Sequence, residues 1–300
     1  FEWPGAPKGK RGIGGTHHYA LRVADYDGLL KWKRRLLDSD INVSGPFDRH
    51  YFKSIYFQDP DGVIIEIAMD GPGFGVDEET PGMEFKAPPD DMTRNNRDDE
   101  RIAAEKWPEP VKTITADMAL MHGMHHITAI THNIDRINGF YEGVLGLQRV
   151  KMTSNFDDPN SAHWYWGLDE GKPGSLITYF ERDANHTRYS QMGAGHTHHF
   201  AFAVEDEETQ LEWRERLIKA GQPVSPVQDR DYFKSIYTKD PNGHIVELAT
   251  LGPGFAVDEP VESLGQELRI PKMHEHRRDF IVSNLKPLTV ARWQKPEGER

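Results

Sequence analysis

The sequence predicts an α+β chain assembled from repeated strand–helix–strand–strand–strand units. Three observations predict it. Text from the first eighty residues returns near the end at a constant offset of 181 residues. Within each copy, apolar spacing switches between strand alternation and helical period. Asp-Pro turns and Gly-Pro-Gly-Phe segments punctuate both copies at matching places.

The repeat is ungapped. Asp48-Arg49, Tyr51-Phe52-Lys53-Ser54-Ile55-Tyr56 and Asp59-Pro60 recur as Asp229-Arg230, Tyr232-Phe233-Lys234-Ser235-Ile236-Tyr237 and Asp240-Pro241. Gly71-Pro72-Gly73-Phe74 recurs as Gly252-Pro253-Gly254-Phe255. A fixed register over such a span means duplication.

Taken in order, Phe1–Gly15 reads as a Gly/Pro-rich loop and Thr16–Ala24 as a strand. Tyr26–Leu37 places Leu29, Leu30, Trp32 and Leu36 at helical spacing. Strands follow at Tyr51–Phe57 and Val63–Met69, joined by the turn Asp59-Pro60-Asp61-Gly62. These form a first module over residues 1–79. Residues 80–122 are polar and charged, a linker with one helix around Arg97–Lys106. A further module opens with strand Met124–Thr131 and a helix Ile134–Leu145 closed by Gly146. Its strands lie near Leu147–Ser154, Ala162–Gly167 and Ser175–Phe180. The last module starts at His198-His199-Phe200 and includes a strand ending Val246-Glu247-Leu248-Ala249. Residues 261–300 form a tail with a helix near Met273–Leu285.

Composition narrows the function classes. The chain has 300 residues, 37% of them hydrophobic, and no cysteine. Disulfides, thiolate catalysis and Cys-based metal sites are thereby excluded. A reducing cytoplasm is compatible and is the expected location. The formal charge of −12 argues against nucleic acid or an anionic membrane as partner. No apolar run reaches the roughly 18 residues that span a bilayer. A homo-oligomer is expected.

The residues that carry chemistry are two His pairs on strands, His125-His126 and His198-His199, and one carboxylate, Glu247, among apolar neighbours. Two imidazoles and a carboxylate on one face make the 2-His-1-carboxylate set of non-haem Fe(II) oxygenases. A carboxylate in an apolar strand is costly to bury without a cation or partner. Strand alternation places His126, Thr128 and Ile130 on one face and His125 on the other. In the first copy His18 and Glu66 repeat the pattern without a third ligand, as an incomplete second site or a copy that keeps only its fold. The Gly-Pro-Gly-Phe segments lack the Lys and strand–turn–helix context of a phosphate loop. Trp164, Tyr165, Trp166 and Tyr179 alternate along strands and suit core packing better than a pocket wall. His186 is a loop histidine that could shuttle protons, and His274 and His276 read as solvated.

Gly123-Met124-His125-His126-Ile127-Thr128 resembles the opening module of ring-cleaving dioxygenases of the hydroquinone-cleaving type, within the vicinal-oxygen-chelate superfamily (glyoxalases, bleomycin-resistance proteins and extradiol dioxygenases). The stretch from His198-His199-Phe200-Ala201-Phe202 through Asp240-Pro241-Asn242-Gly243 to Asp258-Glu259-Pro260 resembles their last module. The resemblance implies βαβββ modules that pair into cupped mixed sheets around a divalent metal. It implies that residues 123–260 form the paired modules with the metal site. The second His of each pair would be the ligand, giving His126, His199 and Glu247. Tyr237 would hydrogen-bond substrate or oxygen, and Arg230 would hold an anionic oxygen. His198 and His125 would act as hydrogen-bonding or acid/base groups, and Thr128 would orient a ligand.

The implied activity is Fe(II)-dependent opening of a dihydroxylated aromatic ring by O2, with Mn(II) an acceptable metal. Two other readings stay open. One is a glyoxalase-like isomerase or lyase with a fourth ligand, for which Glu181 is the candidate. The other is a metal-free sequestering protein of the bleomycin-resistance kind. The repeat partner of His126 would precede residue 1, so the reading expects three modules here and an opening module upstream.

Overall fold

The structure, a computed structural model, describes residues 3–120 and 123–285. The C-terminal part of the predicted tail, residues 286–300, lies outside them. The described chain divides into two units, broken between His198 and His199.

The first unit holds two modules. The first runs β1 (Thr16–Val23), α1 (Tyr26–Leu37), β2 (Ser44–Asp48), β3 (Lys53–Gln58) and β4 (Ile64–Met69). Asp25 starts α1, its side chain accepting from the Gly28 amide at 2.8 Å. Leu29 and Leu36 of α1 bury against Val23, Ile55 and Ile67, an apolar stripe at helical spacing. The short strand β2 was not legible in the sequence, because Ser44-Gly45-Pro46 reads as a turn.

A linker follows with the short helix α2 (Asp99–Ala104), inside the predicted span. The second module is β5 (Met124–Thr131), α3 (Ile134–Asn138), β6 (Gln148–Asn155), β7 (Asp158–Gly167) and β8 (Leu176–Glu181). The predicted helix 134–145 is continuous in sequence but widens into a π-helical segment at Gly139–Val144.

These strands make one eight-stranded sheet, ordered β2-β3-β4-β1-β5-β8-β7-β6. The order is symmetric about the β1–β5 junction. There β1 and β5 run antiparallel, with Ala20 opposite His126 and His18 opposite Thr128. On the flanks β1 is parallel to β4 and β5 to β8. The partner of the 124–181 module in this sheet is thus the first copy, whereas the resemblance paired it with the last module. β1 and the start of the last module carry nearly the same text, so strand pattern alone offers both. The linker favours the first copy: Lys33 Nζ of α1, buried, donates to the carbonyls of Ile102, Ala103 and Glu105 at 2.8, 3.1 and 2.6 Å. Trp32 Nε1 donates to Met118 O at 2.6 Å. These bonds lay the segment that leads into β5 along the first module.

The second unit is the last module: β9 (Phe200–Val204), α4 (Glu207–Lys219), β10 (Gln228–Asp229), β11 (Lys234–Lys239) and β12 (Ile245–Thr250). Its sheet is ordered β10-β11-β12-β9. Buried Gln210 of α4 pins helix to sheet, donating to Lys234 O at 2.8 Å and Leu248 O at 2.9 Å. The tail helix is α5 (Arg278–Asn284), preceded by a 3-10 segment Lys272–Arg277.

Candidate metal centre

At the β1–β5 junction three buried side chains converge. His18 Nε2 lies 2.9 Å from Glu66 Oε2, and His126 Nε2 lies 3.2 Å from the same oxygen. The two Nε2 atoms are 3.2 Å apart. Among the described residues this is the group of three able to hold a metal ion. β1 supplies His18, its parallel neighbour β4 supplies Glu66 opposite Ala20, and β5 supplies His126, also opposite Ala20.

The spacing fits a cation. Adjacent ligands of an octahedral ion with bonds of about 2.1 Å stand about 3.0 Å apart. Both carboxylate oxygens of Glu66 are buried without a hydrogen-bond partner. The close imidazole approaches therefore lack hydrogen-bond alignment, an arrangement that could hold a cation. Burial opposes ionisation of Glu66, yet the imidazoles of His126 and His18 hold its carboxyl well below the usual range.

His18 and His126 are each held from behind by the histidine before them. His18 Nδ1 and His17 Nδ1 are 2.8 Å apart, and His126 Nδ1 and His125 Nδ1 are 2.9 Å apart. Alternation predicts opposite faces for adjacent strand residues; the two rings of each doublet nonetheless meet edge to face at their Nδ1 corners. Burial, then repulsion from the ligating ring, lowers the pKa of His17 and of His125 to about 3. A neutral outer ring that accepts at Nδ1 fixes the proton on the ligand's Nδ1 and leaves its Nε2 lone pair free.

A cavity of about 270 Å³ opens on these ligands. Arg49, Phe52, Tyr56, His163, Tyr165 and Phe180 are among its walls. The Arg49 guanidinium lies over the rings of Phe47 and Tyr56 and pairs with Asp157 at 3.1 Å. Burial works against its charge, but Tyr56, Asp157 and Glu66 raise its pKa overall. Burial, followed by the charge of Glu66, raises the Tyr56 phenol, so it keeps its proton. Thr128 Oγ1 bonds Thr178 Oγ1 at 2.8 Å.

The sequence grouped His126 with His199 and Glu247. The structure groups His126 with His18 and Glu66, completing the set that read as incomplete. His199 and Glu247 belong to the second unit, where His199 Nε2 lies 2.8 Å from Glu247 Oε2. There Tyr237 OH donates to Glu247 Oε1 at 2.9 Å, and Arg230 Nη2 donates to Tyr237 OH at 3.1 Å. His199 thus faces Glu247 as His18 faces Glu66, but Glu247 Oε1 also accepts from Ser235 and Tyr237. His198 lines a different cavity, with Asp61 and His196.

Glu181 stands outside this group: its Oε1 accepts from the Ile134 amide at 2.9 Å, at the start of α3. Trp166 and Tyr179 are buried in the core as expected, while Tyr165 both packs and faces the cavity. His186 is exposed and paired with Asp183, and His274 and His276 are exposed. Sequence reasoning missed His17, Arg49's pairing, His163 and Thr178. The His17-His18 doublet was the available signal for the first; the others come from cross-strand register.

Comparisons with known proteins agree with this architecture. The chain is 28% identical over 292 residues to "Putative ring-cleaving dioxygenase MhqO" of Bacillus subtilis (strain 168), covering 97% of this chain and 78% of that one. It is 25% identical over 279 residues to "Chlorohydroquinone/hydroquinone 1,2-dioxygenase" of Sphingobium indicum, covering 92% and 74%. A crystal structure titled as a putative dioxygenase from Bacillus subtilis matches with TM-score 0.72 and 25% identity, over 98% of this chain and 80% of that one. The description Glyoxalase/Bleomycin resistance protein/Dioxygenase superfamily matches residues 1–67 and 123–248. With most of all three modules inside that match, the chain belongs to the glyoxalase/bleomycin resistance protein/dioxygenase superfamily.

Proposed function

We propose that this protein is an extradiol-type dioxygenase that opens a dihydroxylated aromatic ring, a hydroquinone or catechol, with O2, at a divalent metal held by His18, Glu66 and His126. The observation that carries the reading is the buried triangle of two Nε2 atoms and one carboxylate oxygen, with edges of 2.9 to 3.2 Å, facing a cavity. Fe(II) bound there would supply the electron exchange between ring and oxygen, and Mn(II) suits the same nitrogen and oxygen donors.

The chain's own residues do the rest. A cavity of about 150 Å³ holds benzene, so one of about 270 Å³ suits a single substituted ring. Phe52, Phe180 and Tyr165 flank that space with aromatic faces. Two neutral imidazoles and one carboxylate leave a divalent site with net positive charge, and Arg49 adds to it. Both favour a ring that enters as its phenolate. Tyr56, protonated at its hydroxyl, is placed to donate to an oxygen that gains charge. Burial of the ligands keeps water from competing for the open side.

The names of the relatives support this reading. A glyoxalase-like isomerase would call for a fourth protein ligand, and Glu181 is engaged at the start of α3. By the repeat, His199 and Glu247 are assigned as a matching half-set of ligands, with Tyr237 and Arg230 in the roles of Tyr56 and Arg49.

The test is oxygen uptake by anaerobically Fe(II)-loaded protein with a panel of catechols and hydroquinones. The expected result is one O2 consumed per ring-opened product. Retained metal with no ring opening from any diol would overturn the proposal in favour of non-oxidative chemistry.

A further inference from the structure

The cavity beside the proposed centre meets a second one at a single side chain. Phe52 lies in the segment between β2 and β3, where its carbonyl accepts from the Arg49 amide at 2.9 Å. It is 4% exposed. Its ring lies against both rings of a histidine doublet, with centroids 4.9 Å from His125 and 5.3 Å from His126. It also belongs to the apolar cluster of Tyr51, Phe74, Tyr165 and Leu176.

Beyond Phe52 lies a further cavity of about 380 Å³. Tyr51, Phe74, His125 and Leu176 are buried in its wall. Asp169, Glu170 and Lys172 are exposed and mark where it meets water. Among the described residues Phe52 alone lines both this cavity and the one that holds His18 and His126.

We propose that Phe52 is a partition that sets substrate size: it confines the diol to a single ring, and the cavity behind it is a closed-off subsite for an apolar ring substituent, such as a second aryl group. The inference rests on the diol reading of the centre. A cavity of about 150 Å³ takes one benzene ring, so two rings need about 300 Å³. The space in front of Phe52, about 270 Å³, falls short of that. The space behind it is more than a second ring requires. The front cavity offers no apolar alternative at Ser44, Asp157 and Arg182, which are polar or charged. A substituent turned toward them gains little from burial, whereas one passing the position of Phe52 would lie among aromatic and aliphatic side chains.

The test is anaerobic calorimetry on Fe(II)-loaded wild type and Phe52→Ala, titrated with hydroquinone and with phenylhydroquinone, so that binding is read without turnover. Wild type should bind hydroquinone more tightly than phenylhydroquinone. In Phe52→Ala the ratio of the two affinities should shift at least about tenfold toward phenylhydroquinone. The ratio of kcat/KM for oxygen uptake should shift the same way. An unchanged affinity ratio in the folded variant would overturn the partition, as would a wild type that binds phenylhydroquinone as tightly as hydroquinone. A wild type that binds neither diol would instead overturn the diol reading, and this inference with it. Should alanine at this packed position prevent folding, Phe52→Leu also removes the ring and is judged by the same ratio and the same outcomes.

Discussion

A histidine doublet does two jobs at this site. The second ring offers Nε2 to the centre, and the first grips it at Nδ1. Replacing His17 by Ala removes the group that fixes the tautomer of His18 and should weaken metal binding about 10–100-fold. His17→Gln, which can still accept, should recover part of the loss; chelator competition distinguishes the two. Tyr56 acts on a different step. Tyr56→Phe should keep the metal but lower the turnover of ring opening by about 100-fold, the low end of what a positioned proton donor contributes. Metal analysis beside turnover separates the roles, and equal loss of both would contradict this assignment. The residue types that meet at this group were legible from the sequence: two imidazoles and one strand carboxylate, with a Tyr and an Arg nearby. Which copies of them meet was not, because His18 and His199 stand in the same local text.

Elements were read well where spacing decides and poorly where contacts decide. α1 and β5 were placed by periodicity to their observed ends. β2 was missed because its pairing to β3, not its composition, makes it a strand. The π-helical segment after α3 has no periodic signature. Gly28 in α1 shows the same limit. By helix propensity Ala should be better there by about 1 kcal/mol. A Cβ at Gly28 would lie 2.3 Å from Asp117 O, a backbone atom of the docked linker. Gly28→Ala is therefore expected to destabilise by about 1–3 kcal/mol, seen as a lower Tm. A rise in Tm would show that the linker does not pack against α1 in solution.

For the whole molecule, the consequence is that the centre lies on the seam between two modules. A strand from each must be in place before three ligands meet, so the fold and the site form together. The resemblance identified the modules and their cupped pairing; it misassigned the partner, because duplicated text cannot say which copy a third module faces. The linker bonds from Lys33 and Trp32, invisible as a motif, tell the copies apart. The seam also buries neutral imidazoles, which fixes a pH response. His17 and His125 are lowered to about 3, against about 6.5 in an unfolded chain. Between those values the unfolded state binds more protons, so stability falls as pH is lowered. The loss should begin near pH 6.5, with a slope of up to about 1.4 kcal/mol per pH unit for each imidazole. Glu66, held well below the usual carboxylate range, adds a further loss in the same direction below about pH 4.5. Thermal melts of the chelator-treated protein from pH 7.5 to 5 should show it. A flat Tm across that range would contradict the burial of these rings. No described helix is long and apolar enough to cross a membrane.

The central claim is that His18, Glu66 and His126 hold one redox-active cation against a ring-sized cavity. Anaerobic Fe(II) titration of wild type and Glu66→Gln, followed by oxygen uptake with hydroquinone or catechol, tests it most directly. The account predicts that wild type binds the metal at this centre and consumes one O2 per diol, and that Glu66→Gln does neither. Wild-type metal binding and wild-type uptake in Glu66→Gln would contradict it.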